Sequence, residues 1–371
     1  MNKVSVIGVG RLGICFALTL ERAGYSALGV DVFPEYVQHI NEKTLKSDEQ
    51  DVEAYLQTSN NFSATTDLQE AVEFSDVLYV VVATPSLPNG RYDHTQVDAV
   101  VDKLIAGKLG FHQNKHLVIC CTTMPGYCDS VAERLKDTGY TVSYNPEFIA
   151  QGTILRDQAY PDMILIGEGS PEAGDILQKM YEDMTLNEPR IHRMSRTEAE
   201  ITKIGLNCFL TTKISYANMI GDIVYKAGGD PATVLSAIGA DTRIGHKYLK
   251  YGYGYGGPCF PRDNRVLALY AGDLGIDALI SVASDASNTQ HLEFQIKEFA
   301  AHLDKENVLE LPRVTYKAES TLLVESQQLG FAKGLAERGF KVNICERESV
   351  IKELKEKYGD LFTYTSEEDA K

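Results

Sequence analysis

A glycine-rich turn near the N-terminus constrains the fold more than any other feature of this 371-residue chain. A short apolar strand, Val4–Ile7, is predicted to lead into Gly8-Val9-Gly10-Arg11-Leu12-Gly13, and helical periodicity follows up to Ala23. Glycines at these spacings permit a tight turn, a close approach of a pyrophosphate and close packing of helix on strand. The helix N-terminus then offers N–H groups to phosphate. The segment therefore predicts a dinucleotide-binding site.

An acid completes this prediction. Asp31 ends the next predicted strand, 18 residues after the last glycine. Its carboxylate would accept hydrogen bonds from the adenosine ribose and repel a 2′-phosphate, which favours NAD over NADP. A glycine turn without a ligand is the alternative, and the surrounding strand, helix and acid disfavour it. The residues assigned to the cofactor by this pattern are Gly8, Gly10, Arg11, Leu12, Gly13 and Asp31.

Strands and helices alternate through the first half of the chain. Further apolar strands are predicted at 77–82, 117–121, 142–144 and 163–166. Such alternation is typical of a parallel sheet covered by helices on both faces.

A helical region follows without strands. One long helix is predicted from Arg196 to about Ala227, and a helical segment is predicted over residues 262–303. The alternation resumes with a poor strand around Val314 and a strand at 341–345. The fold class is therefore α/β: an N-terminal Rossmann-type parallel sheet domain, a central helical domain and a shorter C-terminal Rossmann-like domain. We place these domains at residues 1–195, 196–295 and 296–371.

The charge balance limits the classes of partner. The chain has 36 Lys and Arg against 52 Asp and Glu, a net charge of −16. Such a surface repels phosphate backbones and anionic lipid, so we expect neither a nucleic-acid nor a membrane partner. No stretch approaches the roughly 18–20 apolar residues of a membrane helix, and no signal peptide is recognisable. Seven cysteines without a CxxC motif indicate reduced thiols in the cytoplasm and no metal site.

Two further segments carry candidate chemistry. Cys259 lies between two prolines in Gly256-Gly257-Pro258-Cys259-Phe260-Pro261-Arg262-Asp263, where Arg262 would favour the thiolate and Asp263 would orient a water or cap a helix. A purely structural cysteine remains an open alternative. Lys203 and Asn207 are four residues apart on the predicted long helix, so they share a face and could stabilise an oxyanion. The alternative is a lysine whose stem packs on the surface beside a solvated asparagine.

Together these residues resemble the UDP-glucose/GDP-mannose dehydrogenase family. The resemblance covers residues 3 to about 300 and continues more faintly to 347. Besides the glycine turn and the cysteine loop, it rests on these motifs: Ala83-Thr84-Pro85-Ser86, Thr122-Thr123-Met124-Pro125-Gly126, Asn145-Pro146-Glu147-Phe148, Ala199-Glu200 with Lys203 and Asn207, and Arg243-Ile244-Gly245. The resemblance implies oxidation of a nucleotide sugar's C6 alcohol to a carboxylate, with two NAD consumed per sugar.

The resemblance also implies residue roles. Cys259 would be the nucleophile that traps the aldehyde as a thiohemiacetal, which is then oxidised to a thioester and hydrolysed. Lys203 and Asn207 would stabilise the oxyanions. Asp263 and Thr123 would position water, with Glu147 assisting in acid–base steps, and Thr84 and Thr123 would line the NAD side. Substrate contacts are implied for Glu147, Phe148, Lys203, Asn207, Arg243, Tyr248, Tyr255, Gly256 and Lys317, with Arg243 reaching the neighbouring subunit of a homodimer.

This chain departs from the family pattern at several positions. Gln151 replaces a second acid, Arg262 a lysine, and Pro258 a common serine. Tyr36 stands where a lysine often supports the adenosine ribose, and Val324 replaces an arginine on the nicotinamide side. The strand that should follow residues 363–370 has no counterpart, so we expect a shortened C-terminal domain.

Several activities remain open at this point. The spacing from Tyr248 to Cys259 favours UDP-glucose within the resemblance, while GDP-mannose and a UDP-hexosamine remain alternatives. A β-hydroxyacid dehydrogenase that performs one oxidation shares the sheet-plus-helix arrangement. Gln151 and Val324 also allow a non-catalytic relative that only binds a nucleotide sugar.

Overall fold

A computed structural model describes residues 3–317 and 320–367, and in it the chain divides into two units, Met1–Lys203 and Ile204–Lys371. The described strands of the first unit are β1 (Lys3–Ile7), β2 (Ser26–Val30), β3 (Phe62–Thr65), β4 (Val77–Val80), β5 (Lys115–Ile119), β6 (Tyr140–Tyr144), β7 (Met163–Gly167) and β8 (Arg190–Met194). Its helices are α1 (Arg11–Arg22), α2 (Pro34–Asn41), α3 (Val52–Thr58), α4 (Leu68–Phe74), α5 (Thr95–Gly107), α6 (Tyr127–Arg134), α7 (Ile154–Ala159) and α8 (Pro171–Met184).

The strands of the first unit form one sheet in the order β3-β2-β1-β4-β5-β6-β7-β8. The first six follow the doubly wound order typical of dinucleotide-binding folds. All pairs are parallel except β6 with β7, which is antiparallel. The glycine turn leaves β1 at the centre of this sheet, where ligands of open α/β sheets bind.

Both faces of the sheet are buried, which explains the continuous apolar runs in its central strands. Leu78 of β4 and Leu117 of β5 belong to the apolar core that includes α4, α5 and α6. Their neighbours Tyr79 and Val118 point to the opposite core, which includes α1, α7 and α8. The sheet thus fixes the positions of the loops at its edge.

The helix α9 (Arg196–Lys226) begins in the first unit and continues into the second. The other described elements of the second unit are α10 (Pro231–Gly239), α11 (Phe260–Asp273), α12 (Leu279–His302), β9 (Val308–Pro312), α13 (Gln327–Ala336), β10 (Lys341–Glu346), α14 (Glu348–Tyr358), a short 3₁₀ helix (Gly359–Leu361) and β11 (Thr363–Ser366). The three strands form a parallel sheet in the order β11-β10-β9. Val342 and Ile344 of β10 pack in a core with Leu335 and Leu354 of the flanking helices.

The predicted fold class is confirmed, with differences in detail. The poor strand expected around Val314 lies earlier, as β9, and the helix expected over 262–303 is two helices separated near Gly275, whose φ is +73°. Three strands, β3, β8 and β11, were not predicted. The family-based expectation of a shortened C-terminal domain concerned the region after 363–370, of which residues 368–371 lie outside the described part of the chain.

The domain boundaries stay predictions. The division between the two units falls within α9, close to the expected boundary at 195/196. The expected boundary at 295/296 lies inside the continuous helix α12.

Candidate active site

The glycine turn has the geometry that a bound pyrophosphate requires. Gly8 has φ +92°, and a Cβ there would lie 2.6 Å from the carbonyl oxygen of Val81. A Cβ on Gly13 would lie 1.9 Å from the oxygen of Gly8, so only glycine lets α1 pack this close to the turn. Gly10 is different: no atom lies within 4 Å of a Cβ built there. The space beside Gly10 at the start of α1 is therefore open to a phosphate group.

Asp31 lies where the ribose of a dinucleotide would be expected. Its main-chain N–H donates to Thr65 O, and its Oδ1 accepts from the N–H of Phe33 at 3.2 Å, which fixes the carboxylate at the end of β2. Tyr36, at the departure from the family pattern, donates its hydroxyl to Val9 O at 3.0 Å. Burial raises the pKa of Tyr36 to about 12, so it remains a neutral donor that supports the glycine turn.

The side chain of Arg11 faces an acidic segment. It lies 3.3 Å from Asp48 and 3.5 Å from the buried carboxylate of Glu49. A cavity of about 360 Å³ lies here, lined by Arg11, Ile14, Tyr36, Leu45, Lys46, Ser47, Asp48 and Glu53. Leu12 packs against the sheet core. Arg11 is thus held beside the turn by two carboxylates.

The loop after β5 is held by hydrogen bonds to the carboxylate of Glu200 on α9. Glu200, fully buried, accepts hydrogen bonds from the Thr123 hydroxyl at 2.8 Å and from the N–H groups of Gly126 and Cys128 at 2.6 and 3.0 Å. Burial raises the pKa of Glu200, although these hydrogen bonds oppose the shift. Thr84 donates its hydroxyl to Thr122 O at 2.8 Å. Glu200 has no predicted role, and its place in the motif Ala199-Glu200 was the signal available in the sequence.

Glu147 and Lys203 meet in the first unit. Lys203 donates its Nζ to the main-chain oxygen of Glu147 at 2.7 Å and lies 4.4 Å from the ring centroid of Phe148. Burial raises the pKa of Glu147 to about 7; the Lys203 charge acts in the opposite direction, as would a proton donated by the Tyr181 hydroxyl to the carboxylate. A carboxyl group with this pKa can exchange a proton near neutral pH. The structure thus brings Glu147, Phe148 and Lys203 together, and their roles stay predictions.

Cys259 occupies the N-cap position of α11 and is the one exposed cysteine of the seven, all of which are described. A helix N-terminus favours an anion placed on it. In the first turn of α11, buried Asp263 accepts a hydrogen bond from Asn207 Nδ2 at 2.7 Å and lies 3.4 Å from Arg262 Nε. The cap of α11 involves no side chain, so the capping alternative for Asp263 is not what the structure shows.

The loop before Cys259 is held closely within the second unit. Asn288 accepts from the N–H of Tyr255 and donates to its carbonyl, both at 2.9 Å. The Tyr255 side chain is 3% exposed and donates to Asp285. A Cβ on Gly257, whose φ is +83°, would lie 2.5 Å from the ring of Tyr316. These contacts give Tyr255 a structural role, and its contact with substrate stays a prediction.

The remaining predicted substrate residues lie on the second unit. Arg243 is exposed and forms a two-point ion pair with Asp241 on the same turn. Tyr248 is 47% exposed and has φ +61°. The Gly256 main chain approaches the carbonyl of Glu325 closely, and Lys317 is partly exposed. The contact of these four residues with substrate stays a prediction.

Two negative findings apply to the described residues, 3–317 and 320–367. No group of three or more His, Cys, Asp or Glu side chains is arranged to hold a metal ion. No helix in this part of the chain has the length and apolar character to cross a bilayer.

Comparison with known proteins gives a consistent result. Residues 2–185 match the family model described as UDP-glucose/GDP-mannose dehydrogenase family, NAD binding domain, and residues 197–290 match the central domain of the same family. The chain is 29% identical to a UDP-glucose 6-dehydrogenase of Rickettsia bellii, over 91% of this chain and 79% of the relative. It is 30% identical to a GDP-mannose 6-dehydrogenase of Pseudomonas syringae pathovar tomato, over 93% and 80%.

A solved structure agrees with these matches. The UDP-glucose dehydrogenase from Pyrobaculum islandicum superposes with a TM-score of 0.89 at 28% identity, covering all of this chain and 87% of that one.

Proposed function

Because this chain belongs to the UDP-glucose/GDP-mannose dehydrogenase family, whose members are NAD-dependent nucleotide-sugar 6-dehydrogenases, we propose that it oxidises the C6 alcohol of UDP-glucose to the carboxylate. GDP-mannose is the second candidate, because relatives with 30% identity to this chain are named GDP-mannose 6-dehydrogenase. The product would be a nucleotide uronic acid, a building block for polysaccharide synthesis.

The chain carries the family's NAD-binding domain. Bound NAD accepts a hydride in each of the two oxidations. The residues present fit this cofactor: Gly8 and Gly13 shape the turn, the space beside Gly10 is open, and Asp31 ends the neighbouring strand. Arg11, Leu12, Thr84 and Thr123 are the further residues that we assign to the cofactor side.

The exposed thiol of Cys259 at the start of α11 is the observation that carries the proposal. The Cys259 sulfur adds to the C6 aldehyde, forming a C–S bond, while the carbonyl oxygen takes a proton and becomes the hydroxyl of a thiohemiacetal. The second oxidation converts this adduct to a thioester. Water then breaks the C–S bond, releasing the carboxylate and restoring the thiol.

We propose acid–base and electrostatic roles for four further groups. Lys203 and Asn207 stabilise the oxyanions, and Asp263, held by Asn207, orients the water. Glu147 exchanges protons, which its pKa of about 7 supports. The substrate contacts that we propose are Phe148, Arg243, Tyr248, Tyr255, Gly256 and Lys317.

We further propose that the protein is a cytoplasmic homodimer. Phe209, Tyr216 and Ile223 are seven residues apart on α9 and are 65%, 46% and 59% exposed. Large apolar side chains in such a row favour association with a second copy. None of the seven cysteines, all described, forms a disulfide, which suits a reducing compartment.

The decisive experiment measures NADH and carboxylate with UDP-glucose, GDP-mannose and UDP-N-acetylhexosamines in parallel. We expect two NADH per UDP-glucose, and loss of carboxylate formation in Cys259→Ala but not in the control Cys345→Ala. One NADH per substrate would instead indicate a single-oxidation β-hydroxyacid dehydrogenase. Binding of the nucleotide sugar without any NADH would indicate a non-catalytic relative.

A further inference from the structure

A buried tyrosine of α8 lies between two acceptors beside Glu147. The Tyr181 hydroxyl is 2.7 Å from Asn145 Oδ1 and 3.2 Å from Glu147 Oε1. Tyr181 is 3% exposed and Asn145 is fully buried, so bulk solvent scarcely reaches these two side chains. The sequence motifs around Glu147 gave no indication of this contact.

The Tyr181 hydroxyl has one proton for two acceptors, and this determines which group donates in each hydrogen bond. Asn145 donates its Nδ2 to Leu165 O at 2.9 Å, which leaves Oδ1 as an acceptor only. Burial raises the pKa of Tyr181 well above its ordinary range, so the hydroxyl keeps its single proton. That proton can serve Asn145 or Glu147 at one time, and the shorter distance is to Asn145. The Tyr181 oxygen then presents a lone pair to Glu147.

We propose that Tyr181 is a positioning residue that holds Glu147 in its protonated form, accepting the carboxyl O–H while donating its own proton to Asn145. In this arrangement each of the two contacts of the Tyr181 oxygen contains one proton. With an ionised Glu147, two acceptors compete for one proton. The inference deepens the proposed function, because it rests on that function for the use of Glu147 as an acid–base group.

The other groups around Glu147 are consistent with this state. Lys203 of α9 donates to the main-chain oxygen of Glu147, and its charge favours the carboxylate, as a proton donated by Tyr181 would. The phenol of Tyr79 on β4 and the thiol of Cys120, which follows β5, are buried. Burial raises the pKa of both groups and a charge on Glu147 would raise it further, so both stay neutral. Burial outweighs Lys203, since the pKa of Glu147 is raised to about 7.

The test follows the carbonyl stretch of protonated Glu147 by infrared difference spectroscopy, assigned with Glu147→Gln. In Tyr181→Phe the neutral acid loses its acceptor, so the pKa of Glu147 should fall by roughly one pH unit. The matched control is Tyr79→Phe, which removes a buried hydroxyl whose contact is Met180 Sδ at 3.8 Å. This control should leave the pKa of Glu147 unchanged. A rise in Tyr181→Phe would show that Tyr181 donates to the carboxylate, and an unchanged pKa would show no coupling; both overturn the proposal.

A second variant, Asn145→Ala, tests the proposal independently in case Tyr181→Phe does not fold. Asn145→Ala frees the Tyr181 proton for the carboxylate, so the pKa of Glu147 should again fall, whereas no change would overturn the proposal. The infrared titration needs neither NAD nor substrate. If the spectra shift as expected while the pH profile of kcat does not move, the proton arrangement stands and the proposed acid–base role of Glu147 fails.

Discussion

Glu200 shows how a single buried residue can fix a loop of the candidate site. Its carboxylate receives three hydrogen bonds, two of them from the main chain at the start of α6. In Glu200→Gln one oxygen becomes an NH₂ group that faces an N–H donor. We expect a loss of about 1–3 kcal/mol in the free energy of unfolding. We also expect a higher KM for NAD, because the loop carries Thr123.

The matched control lies two residues earlier on the same helix. Glu198 also accepts an N–H, from Ser195 at 2.8 Å, but it is exposed. Glu198→Gln should change the free energy of unfolding by under about 1 kcal/mol and leave the KM for NAD unchanged. Equal effects of the two substitutions in urea unfolding and steady-state kinetics would contradict a special role of Glu200.

Glu147 should make stability depend on pH in a defined direction. Its pKa is raised from 4.5 to about 7 in the folded protein, so folding favours the neutral acid. This contribution is complete below about pH 4.5 and is lost as the pH rises through 7. Glu147→Gln is a neutral equivalent. Its free energy of unfolding should differ least from that of the wild type at pH 5, and at pH 8 should exceed it by about 1–3 kcal/mol more than at pH 5.

Urea unfolding at pH 5, 6, 7 and 8 measures this difference. Glu172→Gln, on the exposed first turn of α8, is the control and should give a curve parallel to the wild type. A curve for Glu147→Gln that is also parallel would refute the raised pKa.

At the residue scale, the sequence predicts those residues whose geometry depends on the residues next to them in the chain. Gly8, Gly13 and Cys259 lie in local turns and helix starts, and the structure gives them the expected geometry. Glu200 and Tyr181 contact partners more than thirty residues away in the chain. Such pairs depend on the packing of helices on the sheet, which local patterns do not specify.

The elements that escaped prediction are edge strands. β3 and β8 end the large sheet, and β11 ends the small one. An edge strand has one neighbour and is incompletely buried, so its residues need not be apolar on both faces. Arg190–Met194 reads Arg-Ile-His-Arg-Met and contains no fully buried residue, unlike the fully buried β5. Hydrophobic runs therefore identified the central strands and missed the edges.

The loop that leads into α11 offers a prediction at the scale of the element. In Gly257→Ala the new Cβ would meet the Tyr316 ring at 2.5 Å in a left-handed backbone conformation. We expect a loss of about 1–3 kcal/mol in the free energy of unfolding and a changed rate of Cys259 alkylation. Gly252→Ala is the control, because no atom lies within 4 Å of its Cβ. If thiol-reactivity and urea-unfolding measurements do not separate the two variants, the loop does not position Cys259 as argued.

For the whole molecule, the net charge of −16 opposes dimerisation, whereas the apolar row on α9 favours it. Two copies repel each other electrostatically, whereas burial of Phe209, Tyr216 and Ile223 favours a dimer by about 25 cal/mol per Å² of apolar surface. Salt shortens the Debye length to about 8 Å at physiological strength. The dissociation constant should therefore fall as salt is added.

Sedimentation velocity at micromolar concentration tests the proposed dimer directly. The wild type should sediment as a dimer, and Ile223→Glu as a monomer, because a charge placed in the apolar row would be buried without a partner. Leu186→Glu is the control, since Leu186 is 69% exposed and belongs to the first unit, not to the α9 row. A monomeric wild type would exclude the dimer. Dissociation by both variants would mean that added negative charge, rather than the α9 surface, controls association.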